Sequence, residues 1–221
     1  MGFGIALRVW GEYALFTRPE MKVERVSYDM ITPSAARGII EAVYWKPAMR
    51  WVIDKIHVMK EISFTNIRRN EVGEKISKSV PEKILNGDTS QYYLSATVER
   101  QQRAALVLRN VEYILEAHFE TLPQAAQAGE TPEKHYNMIV RRLQKGQHYH
   151  APCLGTREFP AHLEWVEKNA IPSSPLKGSL DLGWMLYDLD YSDQRNITPR
   201  FFRALLHDGV LDLNTVLVRE G

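Results

Sequence analysis

Three adjacent residues, Lys134-His135-Tyr136, place a cation, an imidazole and a phenol side by side. The surrounding pattern puts them in the first turn of a helix, where free backbone amides and the positive end of the helix dipole favour a phosphate. Lys134 adds a full positive charge, and His135 can give or take a proton near neutral pH. The alternative is a capping-turn lysine beside a half-buried structural histidine.

Tyr44 is a second candidate for chemistry. It lies at the end of another predicted helix, within Val43-Tyr44-Trp45-Lys46-Pro47. A phenol at that position could face a groove with Lys46 beside it, or Tyr44 and Trp45 could simply cover the core beneath the helix end. Whether the end of this helix meets the start of the other is a geometric question that the sequence leaves open.

Candidate metal ligands form only weak patterns. His148, His150 and Cys153 match no common zinc spacing. Asp188 and Asp190, two residues apart on a predicted strand, could hold Mg²⁺ or face solvent. The chain contains no GxxxxGK, HExxH or GxSxG motif, which disfavours ATPase, zinc-protease and serine-hydrolase functions. We therefore predict no metal ion and no cofactor.

The composition is that of a folded protein, because 44% of the 221 residues are hydrophobic and 25% are charged. The single cysteine, Cys153, excludes an intrachain disulfide and suits a reducing compartment. The sequence has neither an apolar run of ~20 residues nor a signal-peptide pattern. These features predict a cytoplasmic protein.

The net charge is only +1, but its distribution is uneven. Residues 64–110 carry eight Lys or Arg against five Asp or Glu, residues 131–160 carry five against two, and residues 181–221 carry four against seven. A polyanion would be drawn to the basic middle of the chain, since phosphate contacts depend on local charge. Ordinary charge fluctuation is the other explanation.

Two amphipathic helices are predicted, at residues 32–46 and 132–145. A Thr-Pro pair at the start of each supplies an N-cap and a first-turn proline. Pro47 stops the first helix, and Gly146 suits the end of the second. The predicted buried stripe of the second helix consists of Tyr136, Ile139, Val140 and Leu143. His135 is predicted to lie just beside this stripe.

Alternating or β-branched patterns predict strands at residues 4–10, 51–62 and 111–119, and a further strand and turn at residues 149–160. Residues 64–107, with scattered glycine, proline and basic residues, predict an irregular, partly mobile insertion with short elements. The tail predicts a strand near residues 182–190, a short helix near residues 199–206 and a hairpin at Asp208-Gly209.

The predicted order is β-α-β, an insertion, and β-α-β. It indicates an α+β protein whose residues 1–160 form a ferredoxin-like βαββαβ domain, the arrangement of RNA-recognition motifs. Residues 161–221 are predicted to form a smaller β-rich C-terminal region. Because this topology hosts many activities, the fold does not fix the function.

Five short motifs follow one another along the chain: Gly11-Glu12-Tyr13-Ala14-Leu15-Phe16-Thr17, Tyr44-Trp45-Lys46-Pro47, Glu116-Ala117-His118-Phe119, Lys134-His135-Tyr136 and Leu154-Gly155-Thr156-Arg157-Glu158-Phe159. Together they resemble the CRISPR-associated "Cas five" family, subtype d, of the RAMP superfamily. Members of that family are the RNA-processing subunits of the type I-C surveillance complex. The resemblance covers residues 4 to about 160 and continues more weakly through the tail.

The resemblance implies an endoribonuclease that cuts precursor CRISPR RNA at the base of the repeat hairpin without a metal ion. It also implies that the protein stays bound to the 5′ tag of the mature CRISPR RNA, beside the backbone and large subunits of a type I-C complex. The catalytic triad carried over by the resemblance is Tyr44, Lys134 and His135. The RNA contacts that we expect from basic residues are Lys46, Arg68, Arg69, Arg100, Arg103, Arg141, Arg142 and Lys145.

Three alternatives remain open. The protein could clamp the 5′ tag without cutting RNA. It could be a metal-dependent DNA nuclease that uses acidic residues such as Asp188 and Asp190. It could also be an assembly protein that docks through its apolar and acidic tail.

Overall fold

A largely antiparallel sheet and three helices make up the computed structural model, which describes residues 3–21, 23–88, 93–122, 129–193 and 195–220. The helices are α1 Pro33–Val43, α2 Ser79–Leu85 and α3 Pro132–Gln144. The strands, in chain order, are β1 Gly4–Ala14, β2 Arg25–Val26, β3 Met49–Val58, β4 Phe64–Val72, β5 Arg100–Thr121, β6 His162–Val166, β7 Ser179–Asp190, β8 Thr198–His207, β9 Val210–Asp212 and β10 Arg219–Glu220. The fold is therefore mixed α/β.

The described strands join one sheet along the path β10-β8-β9-β3-β5-β1-β6. Off this path, β2 and β4 pair with β5, and β7 pairs with β8. Every pairing is antiparallel except that of β2 with β5. Strand β5 is thus the central element, and it carries the residues that lie beneath the candidate site.

Local signals start both long helices where the sequence predicts. The Thr32 hydroxyl accepts a hydrogen bond from the Ala35 amide over 3.2 Å, and the Thr131 hydroxyl accepts one from the Lys134 amide over 3.3 Å. These caps satisfy amides that have no partner inside the helix. Prolines in the first turn add a backbone angle that already suits a helix.

The predicted buried stripe of α3 is wrong at its N-terminal end. His135, Ile139 and Leu143 are the buried residues, whereas Tyr136 is half-buried and packs on Phe3 with ring centroids 5.3 Å apart. The helix is rotated so that the histidine, rather than the tyrosine, faces the core. The imidazole therefore belongs to the interior of the protein.

The predicted irregular insertion at residues 64–107 is wrong at its two ends, which are strands. Strand β4 pairs with residues 100–108 of β5, from Phe64 opposite Leu108 to Val72 opposite Arg100. We call this two-stranded hairpin the arm. Strand β5 continues from the arm into the core sheet through Asn110, which has a positive φ of 53°. The insertion therefore begins and ends as an extension of the sheet, and the described residues between its strands include the short helix α2.

The C-terminal part differs from the prediction in two places. Residues 149–160 contain a single bridge, between Cys153 and Pro160, and the next strand is β6 at residues 162–166. The predicted helix near residues 199–206 is strand β8, because the Thr-Pro signal at its start is outweighed by pairing with β7.

The strand predicted near residues 182–190 lies within β7, and the predicted hairpin at Asp208-Gly209 joins β8 to β9. Strand β6 pairs with β1, and β9 pairs with β3, so hydrogen bonds of one sheet cross the predicted boundary at residue 160. The division into two units stays a prediction. None of the helices in the described ranges has the length and apolar character to cross a bilayer.

Candidate active site

Tyr44 and His135 form a buried polar pair between the end of α1 and the start of α3. The phenol oxygen lies 2.8 Å from the imidazole Nδ1. Only 4% of Tyr44 and 2% of His135 is exposed. A buried polar pair is stable only when its groups are hydrogen-bonded. In this pair each side chain is the hydrogen-bond partner of the other.

The position of Tyr44 follows from the way in which α1 ends. Tyr44 is the C-cap and is extended, with φ −154° and ψ 123°, while its amide still donates to the Ile40 carbonyl over 3.0 Å. The indole of Trp51 donates to the Tyr44 carbonyl over 2.9 Å. The chain therefore leaves the helix at a fixed angle, and the phenol points toward α3.

His135 is held from the sheet side by an aromatic ring. The edge of Phe119, on β5, meets the imidazole with ring centroids 6.2 Å apart and an interplanar angle of 83°. Phe119 also contacts Trp51 edge to face, with centroids 5.4 Å apart. The imidazole is thus fixed between an apolar floor and the Tyr44 phenol.

Burial shifts the proton affinities of the pair in a consistent way. It lowers the pKa of His135 below its ordinary 6.5, and Lys134 and Lys46 lower that pKa further, whereas Glu130 raises it. Burial also raises the pKa of Tyr44, and Glu130 adds to this rise while Arg142 opposes it. At neutral pH the imidazole is therefore neutral and the phenol is protonated.

The 2.8 Å contact between the phenol oxygen and His135 Nδ1 fits a hydrogen bond in either direction. When the phenol donates, Nδ1 is the acceptor and the imidazole proton is on Nε2. In this state Nδ1 can accept the phenol proton and Nε2 can donate one.

Two lysines flank the pair at the surface. Lys134 and Lys46 are both exposed, and both act electrostatically on the His135 imidazole. The Lys134 ammonium also lies 3.4 Å from the carbonyl of Gly129. Two cations beside the N-terminus of α3 make this surface attractive to a phosphate.

Arg142 connects the two helices behind the pair. Its Nη1 donates to the Val43 carbonyl over 2.7 Å, and its Cζ lies 5.1 Å from the centroid of the Tyr44 ring. The sequence predicts Arg142 as an RNA contact, but its guanidinium is half-buried and engaged inside the protein. The neighbouring predicted contacts Arg141 and Lys145 are exposed.

The remaining predicted RNA contacts lie on the arm and not at the buried pair. Arg68 and Arg69 belong to β4, and Arg100 and Arg103 to β5. Arg69 pairs with Glu158, and its Cζ lies 5.3 Å from the ring centroid of Phe159. Arg68 and Arg100 are exposed. The structure thus separates the predicted residues into a group around the Tyr44–His135 pair and a group on the arm.

The weak metal patterns do not gain support from the structure. The described ranges hold no group of three or more His, Cys, Asp or Glu residues that could bind a metal ion. Asp188 pairs with Arg37, and Asp190 pairs with Arg200. Each carboxylate therefore already has a cationic partner, which disfavours Mg²⁺ binding at this strand.

Sequence reasoning missed two residues that tune the pair. Glu130 acts on both Tyr44 and His135, yet it precedes the N-cap of α3 and carries no local pattern. Phe119 supports the imidazole; its signals in the sequence were its place on the apolar face of a predicted strand and in the motif Glu116-Ala117-His118-Phe119, and neither pointed to His135. Both effects arise between segments that are far apart in the chain.

Comparisons with known proteins give a consistent result. A model of the family described as "CRISPR-associated protein (Cas_Cas5)", subtype Cas5d, matches residues 4–214. The chain is 51% identical over 221 residues to the "CRISPR pre-crRNA endoribonuclease Cas5d" of Mannheimia succiniciproducens, which covers 98% of this chain and 97% of that relative.

Solved structures resemble the fold. A crystal structure of a CRISPR-associated protein has a TM-score of 0.70 at 22% identity, covering 98% of this chain and 96% of that one. A chain of a CRISPR RNA-guided surveillance complex has a TM-score of 0.52 at 13% identity, covering 98% and 90%. At these identities the likeness concerns the fold alone.

Proposed function

Since the chain belongs to the Cas5d family of CRISPR-associated proteins, we propose that it is an endoribonuclease that cleaves precursor CRISPR RNA. The observation that carries the proposal is the Tyr44–His135 pair with Lys46 and Lys134 at its rim. The relative that is 51% identical over nearly the whole chain bears the name of this activity. A proton-transfer pair beside a cationic surface is what metal-independent RNA cleavage requires.

The reaction is attack by the ribose 2′-OH on the adjacent phosphorus, which forms a 2′,3′-cyclic phosphate and releases the 5′-oxygen. One group must take the 2′-OH proton, another must protonate the leaving oxygen, and a cation must stabilise the charge on the phosphorane. Lys134, with the N-terminus of α3 and assisted by Lys46, suits the last task. His135 is the main proton-transfer group: one member of the Tyr44–His135 pair takes the 2′-OH proton, a proton passes along their hydrogen bond, and the other member protonates the leaving 5′-oxygen.

The burial of His135 sets the direction of approach. Since only 2% of the residue is exposed, the ribose reaches the imidazole at its surface edge, where the two lysines lie. The phosphate meets the lysines first and is thereby placed over the imidazole. This order of contacts favours a substrate whose phosphate is held rigidly, such as one at the base of an RNA hairpin.

The substrate contacts follow from the same arrangement. The base of the repeat hairpin lies at the pair, and the arm, with Arg68 and Arg100 exposed, contacts RNA further along. After cleavage the protein keeps the 5′ tag and joins the backbone and large subunits of a type I-C surveillance complex. The cut proceeds without a metal ion, since each reaction role has a side chain.

The order of the strands supports a ferredoxin-like core for this activity. Strands β1, β3, β5 and β6 correspond to the four strands of a βαββαβ unit. Their order in the sheet is β6-β1-β5-β3, and helices α1 and α3 lie in the two crossover connections. This is the antiparallel arrangement expected for an RNA-recognition-like domain. In this proposal the arm is an insertion between β3 and the core part of β5.

The test is cleavage of a labelled cognate repeat hairpin in EDTA by the parent protein, His135→Ala and Lys134→Ala, with binding measured in parallel. His162→Ala and Lys177→Ala are matched controls, because both residues are exposed and lie outside the proposed site. We expect a 2′,3′-cyclic phosphate from the parent and the controls, and cleavage at least ~100-fold slower from the two site variants.

Two outcomes would contradict the proposal. Cleavage that survives a 2′-deoxy substitution at the cut nucleotide would exclude attack by the 2′-OH. Tight binding by the parent without any cleavage would identify a non-catalytic clamp of the CRISPR RNA tag.

A further inference from the structure

Two exposed aromatic residues lie at the C-terminal end of α1, next to the buried pair. Trp45 is 51% exposed and Tyr149 is 85% exposed. Both are large rings that folding leaves in water, although most apolar surface of that size is buried. Their exposure beside the Tyr44–His135 pair makes these two rings candidates for contacts with a ligand.

The backbone holds both residues in place. The amides of Tyr149 and His150 donate to the Ala42 carbonyl over 2.8 and 3.4 Å, so this loop caps the last turn of α1. Trp45 directly follows Tyr44, whose carbonyl is fixed by the Trp51 indole. Tyr149 is therefore anchored through its main chain, while its exposed side chain contacts the His150 ring, with centroids 5.7 Å apart, and is accessible to a ligand.

The charge of the surroundings indicates what that ligand is. The exposed cations Lys46, Arg141 and Lys145 belong to the same two helix ends, residues 44–47 and 141–146. Aromatic rings interleaved with cations are the usual surface for single-stranded nucleic acid, in which the bases stack on the rings and the phosphates meet the charges.

We propose that Trp45 and Tyr149 are stacking platforms for the unpaired bases of RNA that flank the cleaved phosphate. The inference rests on the proposed function, and it adds the residues that position the single-stranded side of the substrate. The bases at these positions are recognised by their flat faces, so the platforms favour unpaired over paired RNA and discriminate little among base types. Splaying a flanking base onto Trp45 brings the adjacent phosphate toward Lys46 and His135.

The experiment uses the full chain and a repeat hairpin with 2-aminopurine in its unpaired flank, a base whose fluorescence is quenched by stacking. Parent protein is compared with Trp45→Ala, Tyr149→Ala, and the ring-preserving variants Trp45→Phe and Tyr149→Phe. Tyr191→Ala is the matched control, since Tyr191 is also exposed but lies beyond β7, on another part of the surface. A second RNA carries abasic nucleotides in the flank.

We expect the parent and the control to quench the 2-aminopurine, the alanine variants to lose the quenching, and the phenylalanine variants to keep most of it. Affinity for the intact flank should fall on the order of 10- to 100-fold in the alanine variants. The affinity of the parent should be lower by a similar factor for the abasic RNA than for the intact RNA. The affinity of the alanine variants should be the same for both RNAs.

Normal quenching by both alanine variants would overturn the proposal, and would assign the rings to a protein neighbour instead. Equal losses of affinity by the alanine variants on intact and abasic RNA would also overturn it, because they would mean that stacking is not involved. The abasic RNA tests the parent directly, so a poorly folded variant does not leave the question open. A parent that quenches but never cuts would refute the proposed nuclease and leave the stacking surface standing.

Discussion

The guanidinium of Arg142 donates a hydrogen bond to the carbonyl of Val43 over 2.7 Å, and so joins α3 to the last residue of α1. The same group lies over the Tyr44 ring. One side chain therefore fixes both the end of the first helix and the phenol that follows it. The geometry of the buried pair depends on this contact.

Replacing Arg142 by alanine should weaken the folded state, because the carbonyl of a buried residue loses a charged donor. We expect the free energy of unfolding to fall by about 1–3 kcal/mol, measured by urea denaturation. Arg141→Ala is the control, since that neighbouring side chain is exposed and contacts only the Met138 sulfur among the described residues. A similar loss in both variants would contradict a specific role for Arg142.

Tyr44→Phe removes the hydroxyl and leaves the core ring in place. Because His135 Nδ1 then loses its partner, we expect cleavage to slow about 10- to 100-fold. Combined with His135→Ala, the change should cost nothing more than His135→Ala alone, since residues that act as a unit are not additive. Single-turnover rates of the four proteins test this, and losses that multiply would show that the two residues act separately.

The stability contributed by His135 should depend on pH in a defined direction. Burial lowers its pKa in the folded protein below 6.5, so the unfolded chain binds the proton more readily. Stability therefore rises with pH below 6.5; the contribution is fully present above that value and is lost as pH falls through the folded-state pKa. Unfolding of the parent and of His135→Gln should be compared from about pH 5 to about pH 8.

The difference in unfolding free energy between these two proteins should grow as pH rises and become constant above 6.5. A difference that shrinks over this range would mean that the folded protein stabilises the protonated imidazole. In that case the electrostatic effect of Glu130 would outweigh burial.

Gly155 packs closely against the backbone of the segment that follows β1. Its φ is +88°, and a β-carbon there would lie 2.0 Å from the Leu15 carbonyl oxygen. Gly146 also has a positive φ, but a β-carbon there meets nothing within 4 Å. We expect Gly146→Ala to cost about 1 kcal/mol and Gly155→Ala to cost at least about 2 kcal/mol more. Equal thermal unfolding midpoints for the two variants would contradict this.

The sequence predicted the elements whose signals are local. Both long helices begin beside their threonine caps, because the cap, the proline and the apolar stripe all lie within one segment. The arm was missed because the less exposed face of β4 beyond Ile67 carries Arg69 and Glu71, so that this strand lacks apolar alternation. Strand β8 was predicted as a helix, since its pairing with β7 leaves no mark near Thr198-Pro199.

The candidate site was only half predictable for the same reason. The sequence showed the chemical types of Tyr44, Lys134 and His135, and the capped helix start predicted the place of the last two. The contact between Tyr44 and His135 could not be predicted, because these residues are 91 positions apart and meet through the packing of two helices on the sheet. The internal position of Arg142 likewise follows from that packing.

Asn110 stands where β5 passes from its pairing with β3 to its pairing with β4, while β1 pairs with residues on both sides of it. Its side-chain oxygen accepts a hydrogen bond from Lys60 over 2.8 Å. Its left-handed backbone angle sets the direction in which the arm departs. The Tyr44–His135 pair instead contacts the core part of β5, at Phe119. Removing two residues from each strand of the arm would therefore shorten its reach by ~7 Å without shifting Tyr44 or His135. In the proposed function, how far the protein extends along an RNA and how it cuts that RNA can thus be changed independently of each other.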